Sequence, residues 1–157
     1  MPNLLRLAIS VGAPLLVGAL SGFATARSVT GWYVTLRKPV FNPPSWIFGP
    51  VWTALYVLMG IALYLVWRNG WDRDVVRWAV ALFAVQLALN GLWSLLFFGM
   101  QSPGWAFVEI LLLWAAIATT MVAFWRVELF AGALLIPYFL WVSFAVLLNG
   151  SIWMLNR

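Results

Sequence analysis

The chain has 157 residues, of which 65% are hydrophobic and only 8% are charged. Soluble domains carry roughly 25% charged residues, so this composition excludes a water-soluble globular protein and predicts an integral, multi-pass protein of a lipid membrane. The nine Lys and Arg residues, which give a formal net charge of +5, lie scattered at segment ends. Because nucleic-acid binding needs a continuous basic face, no nucleic-acid partner is expected.

Five apolar runs follow one another along the chain, separated by short polar breaks. Each approaches the ~20 residues that a helix needs to cross a bilayer, and continuous runs favour helices over the alternating segments of an outer-membrane barrel. The sequence therefore predicts an all-α membrane protein in which residues 1–157 form a single domain, a five-transmembrane-helix bundle. The predicted spans 1–5 lie at about 4–26, 46–67, 77–99, 105–125 and 129–153.

The first run has a second interpretation. Arg6, the apolar stretch and Ala24-Thr25-Ala26 imitate a secretory signal peptide with its cleavage site. The apolar stretch from Leu7 to Ala26 is longer than the roughly 7–15 residues of such a signal, which favours a membrane span.

The connection 27–45, between spans 1 and 2, is the longest in the chain. Pro39, Pro43 and Pro44 prevent a helix there and fix an extended, stiff path. We expect an ordered lid on the membrane surface; the alternative is an interfacial connector whose rings belong to the aromatic belt. The aromatic residues attached to this stretch are Trp32, Tyr33, Phe41 and Trp46.

Twelve residues are tryptophan, and several lie inside apolar runs rather than at span ends. Indole is costly in hydrocarbon unless its N–H finds a partner, yet it offers a large flat face. We therefore expect a flat, large and apolar ligand. No polar neighbour in the sequence explains Trp114. The tryptophans within apolar runs are Trp52, Trp93, Trp114 and Trp141.

Residues of different spans reach similar depths beneath the long connection, in the half of the bilayer that we call side B. With ~1.5 Å of rise per residue, Trp52 and Trp93 lie about 9 Å from that surface and Asn90 about 14 Å. Trp141 lies near mid-membrane, one turn after Pro137, which is expected to interrupt and bend span 5. These depths predict an aromatic pocket in the side B half.

One face of span 3 carries two amides and two aromatic rings. Amides facing lipid would be costly, so this face is expected to point into the bundle or a cavity. Interhelical hydrogen bonding is the alternative role of both amides, and a pocket contact is favoured for Asn90. The residues at this helical spacing are Gln86, Asn90, Trp93 and Phe97.

Glu109 is the only acidic residue inside a predicted span. We expect its carboxylate to reach the side B interface and to pair with Arg37 or Lys38. The alternative is a polar contact for a ligand that enters beneath the lid.

Gly18 and Gly22 form a GxxxG pattern in span 1. Such glycines permit close approach of two helix backbones, within one chain or between two.

The chain has no His and no Cys, and no predicted span contains a pair of carboxylates. It therefore lacks a general base, a nucleophile with its base and a metal site, which excludes hydrolytic catalysis. A porphyrin-like ligand would be held by shape, stacking and hydrogen bonds rather than by ligation of its metal.

Several segments occur in the order of the motifs of one known family. They are Trp32-Tyr33, Lys38-Pro39, Asn42-Pro43-Pro44-Ser45-Trp46, Gly49-Pro50-Val51-Trp52-Thr53-Ala54-Leu55-Tyr56, Gln86-Leu87-Ala88-Leu89-Asn90-Gly91-Leu92-Trp93-Ser94 and Ile136-Pro137-Tyr138-Phe139-Leu140-Trp141. Over nearly its whole length the chain resembles the tryptophan-rich sensory proteins and mitochondrial translocator proteins, also called peripheral-type benzodiazepine receptors. The resemblance implies a membrane receptor or carrier, usually a homodimer, that requires no cofactor. Its implied ligands are tetrapyrroles such as protoporphyrin IX, with sterols and benzodiazepine-type ligands.

By this resemblance, the ligand pocket lies between the helices beneath the lid. Near the end of span 5, Trp153 stands where the family's sterol-recognition pattern has a tyrosine. The implied ligand-binding residues are Trp32, Trp46, Trp52, Tyr56, Asn90, Trp93, Ser94, Phe97, Trp141, Phe144, Ala145 and Leu148.

Two alternative functions follow. Some family members are reported to degrade bound protoporphyrin in light, and by that resemblance Trp52 and Trp141 would face the ring and react. The other alternative is a structural or partner-binding membrane protein whose tryptophans serve only as interfacial anchors.

Overall fold

The computed structural model describes all 157 residues, which form helices joined by short connections and no strands. The helices are Asn3–Thr30, Trp32–Thr35, the 3-10 turn Ser45–Ile47, Phe48–Trp67, Asp74–Ser94, the π-helical turn Leu95–Gly99, Pro103–Val127, Leu129–Leu134 and Ile136–Leu155.

Five helical stretches are long and apolar enough to cross a membrane. We keep the names spans 1–5 for Asn3–Thr30, Ser45–Trp67, Asp74–Gly99, Pro103–Val127 and Leu129–Leu155. The predicted all-α, five-span architecture and the multi-pass membrane location are confirmed. The lid, the turn before Pro103 and the end of span 5 share side B, and the opposite surface is side A.

The apolar core fills the side A half of the bundle, where spans 2, 3, 4 and 5 pack together. Met59 and Val66 of span 2 are fully buried there. Phe83 of span 3 stacks on Phe124 of span 4, with ring centroids 5.7 Å apart and planes 14° from parallel. Inside a membrane such packing, rather than exclusion of water, holds helices together. The side B half therefore is the part of the bundle left for a cavity.

Spans 1 and 2 touch closely at two glycines. A Cβ atom on Gly60 would lie 2.4 Å from the Cα atom of Val11, and one on Gly18 would lie 2.5 Å from the ring of Tyr56. A Cβ atom on Gly22 would meet nothing within 4 Å. Only the first glycine of the predicted GxxxG pattern thus makes a close contact within the chain.

The predicted interruption of span 5 is present, but as a break between two helices rather than a bend within one. The first helix ends at Leu134 and the second begins at Ile136, so Pro137 lies in a first turn. A proline costs little there because the amide hydrogen that it lacks would have no partner within the helix. The break places Tyr138 and Trp141 on the second helix of span 5, Ile136–Leu155.

Candidate ligand-binding site

A large cavity lies in the side B half of the bundle, beneath the lid. Its volume is about 590 Å³, within the roughly 300–1,000 Å³ of small-molecule sites. Spans 1, 2, 3 and 5 and the lid all contribute to its wall, which is mainly apolar. The cavity thus occupies the depth at which the sequence predicts an aromatic pocket.

Most of the predicted ligand-binding residues line this cavity. Three do not: Trp46 is 75% exposed on the outer surface, Trp32 lies edge-on behind Phe97, and Asn90 is buried deeper in the bundle. The predicted residues that do line it are Trp52, Tyr56, Trp93, Ser94, Phe97, Trp141, Phe144, Ala145 and Leu148.

Asn90 belongs to a chain of buried hydrogen bonds at the inner end of the cavity. The Tyr56 hydroxyl donates to Asn90 Oδ1 at 2.6 Å, and Asn90 Nδ2 donates to the Tyr138 hydroxyl at 2.9 Å. The Tyr138 hydroxyl in turn donates to Gln86 Oε1 at 2.9 Å. Both amides of span 3 therefore bond to neighbouring spans, and Tyr56 alone among these side chains reaches the cavity wall.

A second polar contact fixes Trp93. Its indole Nε1 donates to Asn149 Oδ1 at 2.9 Å, and Asn149 Nδ2 donates to the backbone oxygen of Pro103 at 2.9 Å. The Trp93 ring also stacks on Phe97, with centroids 5.3 Å apart. Spans 3, 4 and 5 are thereby joined at one depth, and the indole N–H of Trp93 is satisfied within the protein.

Trp52 and Trp141 stand in the cavity wall on different spans. Trp52 stacks on Tyr56, with centroids 5.6 Å apart, and meets Tyr138 edge-on at 6.3 Å. Trp141 contacts Phe48 edge-on at 6.2 Å. Aromatic neighbours fix the orientation of both indole rings, whereas neither indole N–H donates to a protein acceptor. The two indoles therefore stand in the cavity wall with N–H donors that no protein acceptor occupies.

Tyr33 anchors the lid over the cavity. Its hydroxyl donates to Asn42 Oδ1 at 2.7 Å, and its ring lies against Phe98 at 5.7 Å. The Lys38 ammonium lies 4.8 Å from the centre of the same ring. Burial raises the pKa of Tyr33 to about 12, so its hydroxyl stays protonated and keeps donating at neutral pH.

The middle of the lid is held by the end of span 5. The backbone nitrogen of Arg37 donates to Asn156 Oδ1 at 2.9 Å, and Asn156 Nδ2 donates to the backbone oxygen of Arg37 at 2.8 Å. The Asn156 side chain thus bonds to both the backbone N–H and the backbone C=O of Arg37, as a neighbouring β-strand would.

The wall that span 1 contributes was not predicted from the sequence. Gly18, Gly22 and Thr25 line the cavity with other small side chains of that span. The GxxxG pattern was a signal for these positions, but close helix packing and a cavity wall both favour small residues. The pattern alone does not distinguish them.

The expected interfacial ion pair of Glu109 is wrong. Glu109 is only 5% exposed, and neither carboxylate oxygen has a hydrogen-bond partner. Its neighbours on the same helix face, Ala106 and Leu113, are also buried, so this face of span 4 points into the bundle. Glu109 does not line the cavity. The rotation of span 4 about its axis decides whether Glu109 faces the interface or the interior. A single acidic residue in the sequence does not reveal this rotation.

The partner of Trp114 lies on another span. Its indole Nε1 donates to Ser143 Oγ of span 5 at 2.8 Å, and its ring lies 5.1 Å from that of Phe139. Trp114 therefore joins spans 4 and 5 outside the cavity.

Tyr138→Phe tests the buried hydrogen-bond chain. The change deletes the hydroxyl that Asn90 and Gln86 share, so a buried amide hydrogen and a buried amide oxygen lose their partner. We expect the free energy of unfolding to fall by about 1–3 kcal/mol, measured by SDS titration in mixed micelles with circular dichroism. Tyr64→Phe, outside the hydrogen-bond chain, is the matched control. We expect it to change the free energy of unfolding by less than about 0.5 kcal/mol. Equal losses in both variants would contradict a stabilising role for the chain.

Comparison with known proteins agrees with this architecture. The TspO/MBR family matches residues 10–154. The chain is 49% identical over 154 residues to the tryptophan-rich protein TspO of Chlorobaculum tepidum, covering 98% of each chain. It is 41% identical over 148 residues to the translocator protein of Homo sapiens, covering 90% of this chain and 87% of the relative. It is 38% identical over 145 residues to the tryptophan-rich sensory protein of Cereibacter sphaeroides, covering 92% and 85%. The chain therefore belongs to the TspO/MBR family, and this membership supports a membrane receptor or transporter role.

Proposed function

We propose that this protein is a membrane receptor or carrier that binds a tetrapyrrole such as protoporphyrin IX in the side B cavity, without a cofactor. The observation that carries the proposal is an apolar cavity of about 590 Å³ with Trp52 and Trp141 in its wall. Sterols and benzodiazepine-type ligands are further candidates for the same cavity. A homodimer is also part of the proposal, on the resemblance alone.

Stacking is the interaction that suits this wall to a macrocycle. Aromatic rings prefer offset-stacked or edge-on contacts, and a planar tetrapyrrole offers both its face and its edge. Trp52 is backed by Tyr56, whose hydroxyl is tied to Asn90, so its face is held in place before any ligand arrives. A wall that is already ordered loses little entropy on binding.

The two free indole donors add polar specificity. The indole N–H groups of Trp93 and Trp114 donate to Asn149 and Ser143. Those of Trp52 and Trp141 donate to no protein acceptor. A tetrapyrrole carries ring nitrogens and propionate oxygens that can accept such bonds. In an apolar cavity each hydrogen bond to the ligand also satisfies an indole N–H group that would otherwise have no partner.

The charge of the side B surface favours the acidic edge of a porphyrin. Arg27, Arg37 and Lys38 lie in or beside the lid and Arg157 follows span 5, whereas side B has no exposed Asp or Glu side chain. A positively charged surface attracts the negatively charged propionates toward the cavity mouth. The macrocycle would then lie among the aromatic rings with its propionates toward side B.

Titration of protoporphyrin IX into the protein in nanodiscs, followed by quenching of tryptophan fluorescence, tests the proposal. We expect saturable binding. The double variant Trp52→Ala/Trp141→Ala should bind about 10–100-fold more weakly, since each ring contributes roughly 0.5–1.5 kcal/mol beyond its buried area and 1.4 kcal/mol is tenfold.

The matched control is Trp71→Ala/Trp78→Ala, which removes two exposed indoles near side A and should leave the affinity unchanged. Unchanged affinity in a folded Trp52→Ala/Trp141→Ala protein would exclude this cavity as the site. Absence of saturable binding by the unaltered protein would favour a structural or partner-binding role.

Light-dependent porphyrin breakdown is the second candidate, favoured by the positions of Trp52 and Trp141 in one cavity. A bound porphyrin that absorbs light converts dissolved oxygen into reactive species beside these indoles. We expect the loss of porphyrin absorbance under illumination in air to exceed that with free tryptophan, and to fall in the double variant. Equal rates with free tryptophan would reject the activity.

A further inference from the structure

We infer that the ligand enters the cavity sideways from the lipid bilayer, through a seam between spans 1 and 2, and not from water beneath the lid. The inference rests on the proposed function, because it concerns the route of that ligand. The seam is bounded by Gly22 and Ala26 of span 1 and by Gly49 and Thr53 of span 2.

The four seam residues are exposed and line the cavity. They belong to two spans that face one another across the cavity wall, which is where we place the opening to the bilayer. Gly22 lies eight residues from Thr30, and Thr53 lies eight residues from Ser45, the side B ends of their spans. At ~1.5 Å per residue this is about 12 Å along each helix, so acyl chains rather than water face the seam.

The packing of spans 1 and 2 explains why the seam is open. Gly60 against Val11, and Gly18 against Tyr56, bring the two helices together in the side A half and near mid-membrane. Farther toward side B, a Cβ atom on Gly22 or Gly49 would meet nothing within 4 Å. The close glycine contacts between the two helices thus lie in the side A half and near mid-membrane, and none is made at Gly22 or Gly49, beside the cavity.

Small side chains keep this opening free. The cavity-lining residues of span 1 recur at helical spacing and include no aromatic ring, unlike those of spans 2, 3 and 5. A flat ligand that presents its edge meets no bulky side chain on that side. The small span 1 residues on this face are Gly18, Ala19, Ser21, Gly22, Thr25 and Ala26, with Leu15 and Val29 at its two ends.

The lid route is obstructed by specific contacts. Access from water requires rupture of the two hydrogen bonds between Arg37 and Asn156. It also requires separation of Phe41 from Phe144, whose rings lie 6.2 Å apart at the cavity wall. Access through the seam breaks no such contact. An apolar ligand is moreover concentrated in the bilayer by the hydrophobic effect.

Because the chain has no cysteine, introduced pairs can be bridged selectively. The seam pair is Gly22→Cys/Gly49→Cys, and the lid pair is Arg37→Cys/Asn156→Cys. Each is bridged in nanodiscs by a reducible bifunctional thiol reagent. Stopped-flow quenching of tryptophan fluorescence then gives the association and dissociation rates of protoporphyrin IX, before and after reduction.

We expect the seam bridge to slow association and dissociation by about tenfold or more, because a blocked route affects both directions alike. The affinity should change less than about threefold, and reduction should restore both rates. The lid bridge should leave both rates within about twofold. Slowing by the lid bridge alone, or by neither bridge, would overturn the inference.

If the seam bridge itself fills the cavity and abolishes binding, the variant Thr53→Trp tests the route of entry instead. This variant places a bulky ring in the seam, and we expect it to slow both association and dissociation of protoporphyrin IX, whatever its effect on the affinity. Unaltered rates in Thr53→Trp would contradict the inference. Failure of the proposed function gives a different result, since the reduced, unbridged proteins would then show no saturable binding.

Discussion

The side B cavity depends on a chain of buried hydrogen bonds through Tyr56, Asn90, Tyr138 and Gln86. Inside a bilayer no water satisfies a polar side chain, so each group in the chain must find its partner on a neighbouring span. One such bond in a membrane contributes only about 0.6 kcal/mol on average. A lost partner costs more, about 1–3 kcal/mol for the group left unpaired. The chain therefore fixes spans 2, 3 and 5 at one relative depth and rotation.

This constraint separates two halves of the bundle with different roles. On side A the spans close into an apolar core, in which Phe83 stacks on Phe124. On side B the cavity lies between spans 1, 2, 3 and 5, and Tyr56 connects the two halves, since its hydroxyl joins the hydrogen-bond chain and its ring supports Trp52. Span 1 completes the wall without joining the chain. Its contacts with span 2 through Gly18 and Gly60 end before the cavity opening.

The number of spans and the depth of the pocket were predictable from the sequence, because apolar length and helical rise depend on the backbone alone. The same arithmetic brought Trp52, Trp93 and Trp141 to one region. The direction in which a polar side chain points was less predictable, since it depends on helix rotation and on partners far along the chain. Asn90 bonds to two tyrosines instead of lining the cavity, and Glu109 turns inward.

A structure of the protein with protoporphyrin IX bound in nanodiscs tests the central claim most directly. We expect the macrocycle to lie in the side B cavity against Trp52 and Trp141, with Asn90 still bonded to Tyr56 and Tyr138. A porphyrin on the outer surface of the bundle would contradict the site. An Asn90 side chain turned away from both tyrosines toward the ligand would contradict the role of the hydrogen-bond chain as a fixed floor.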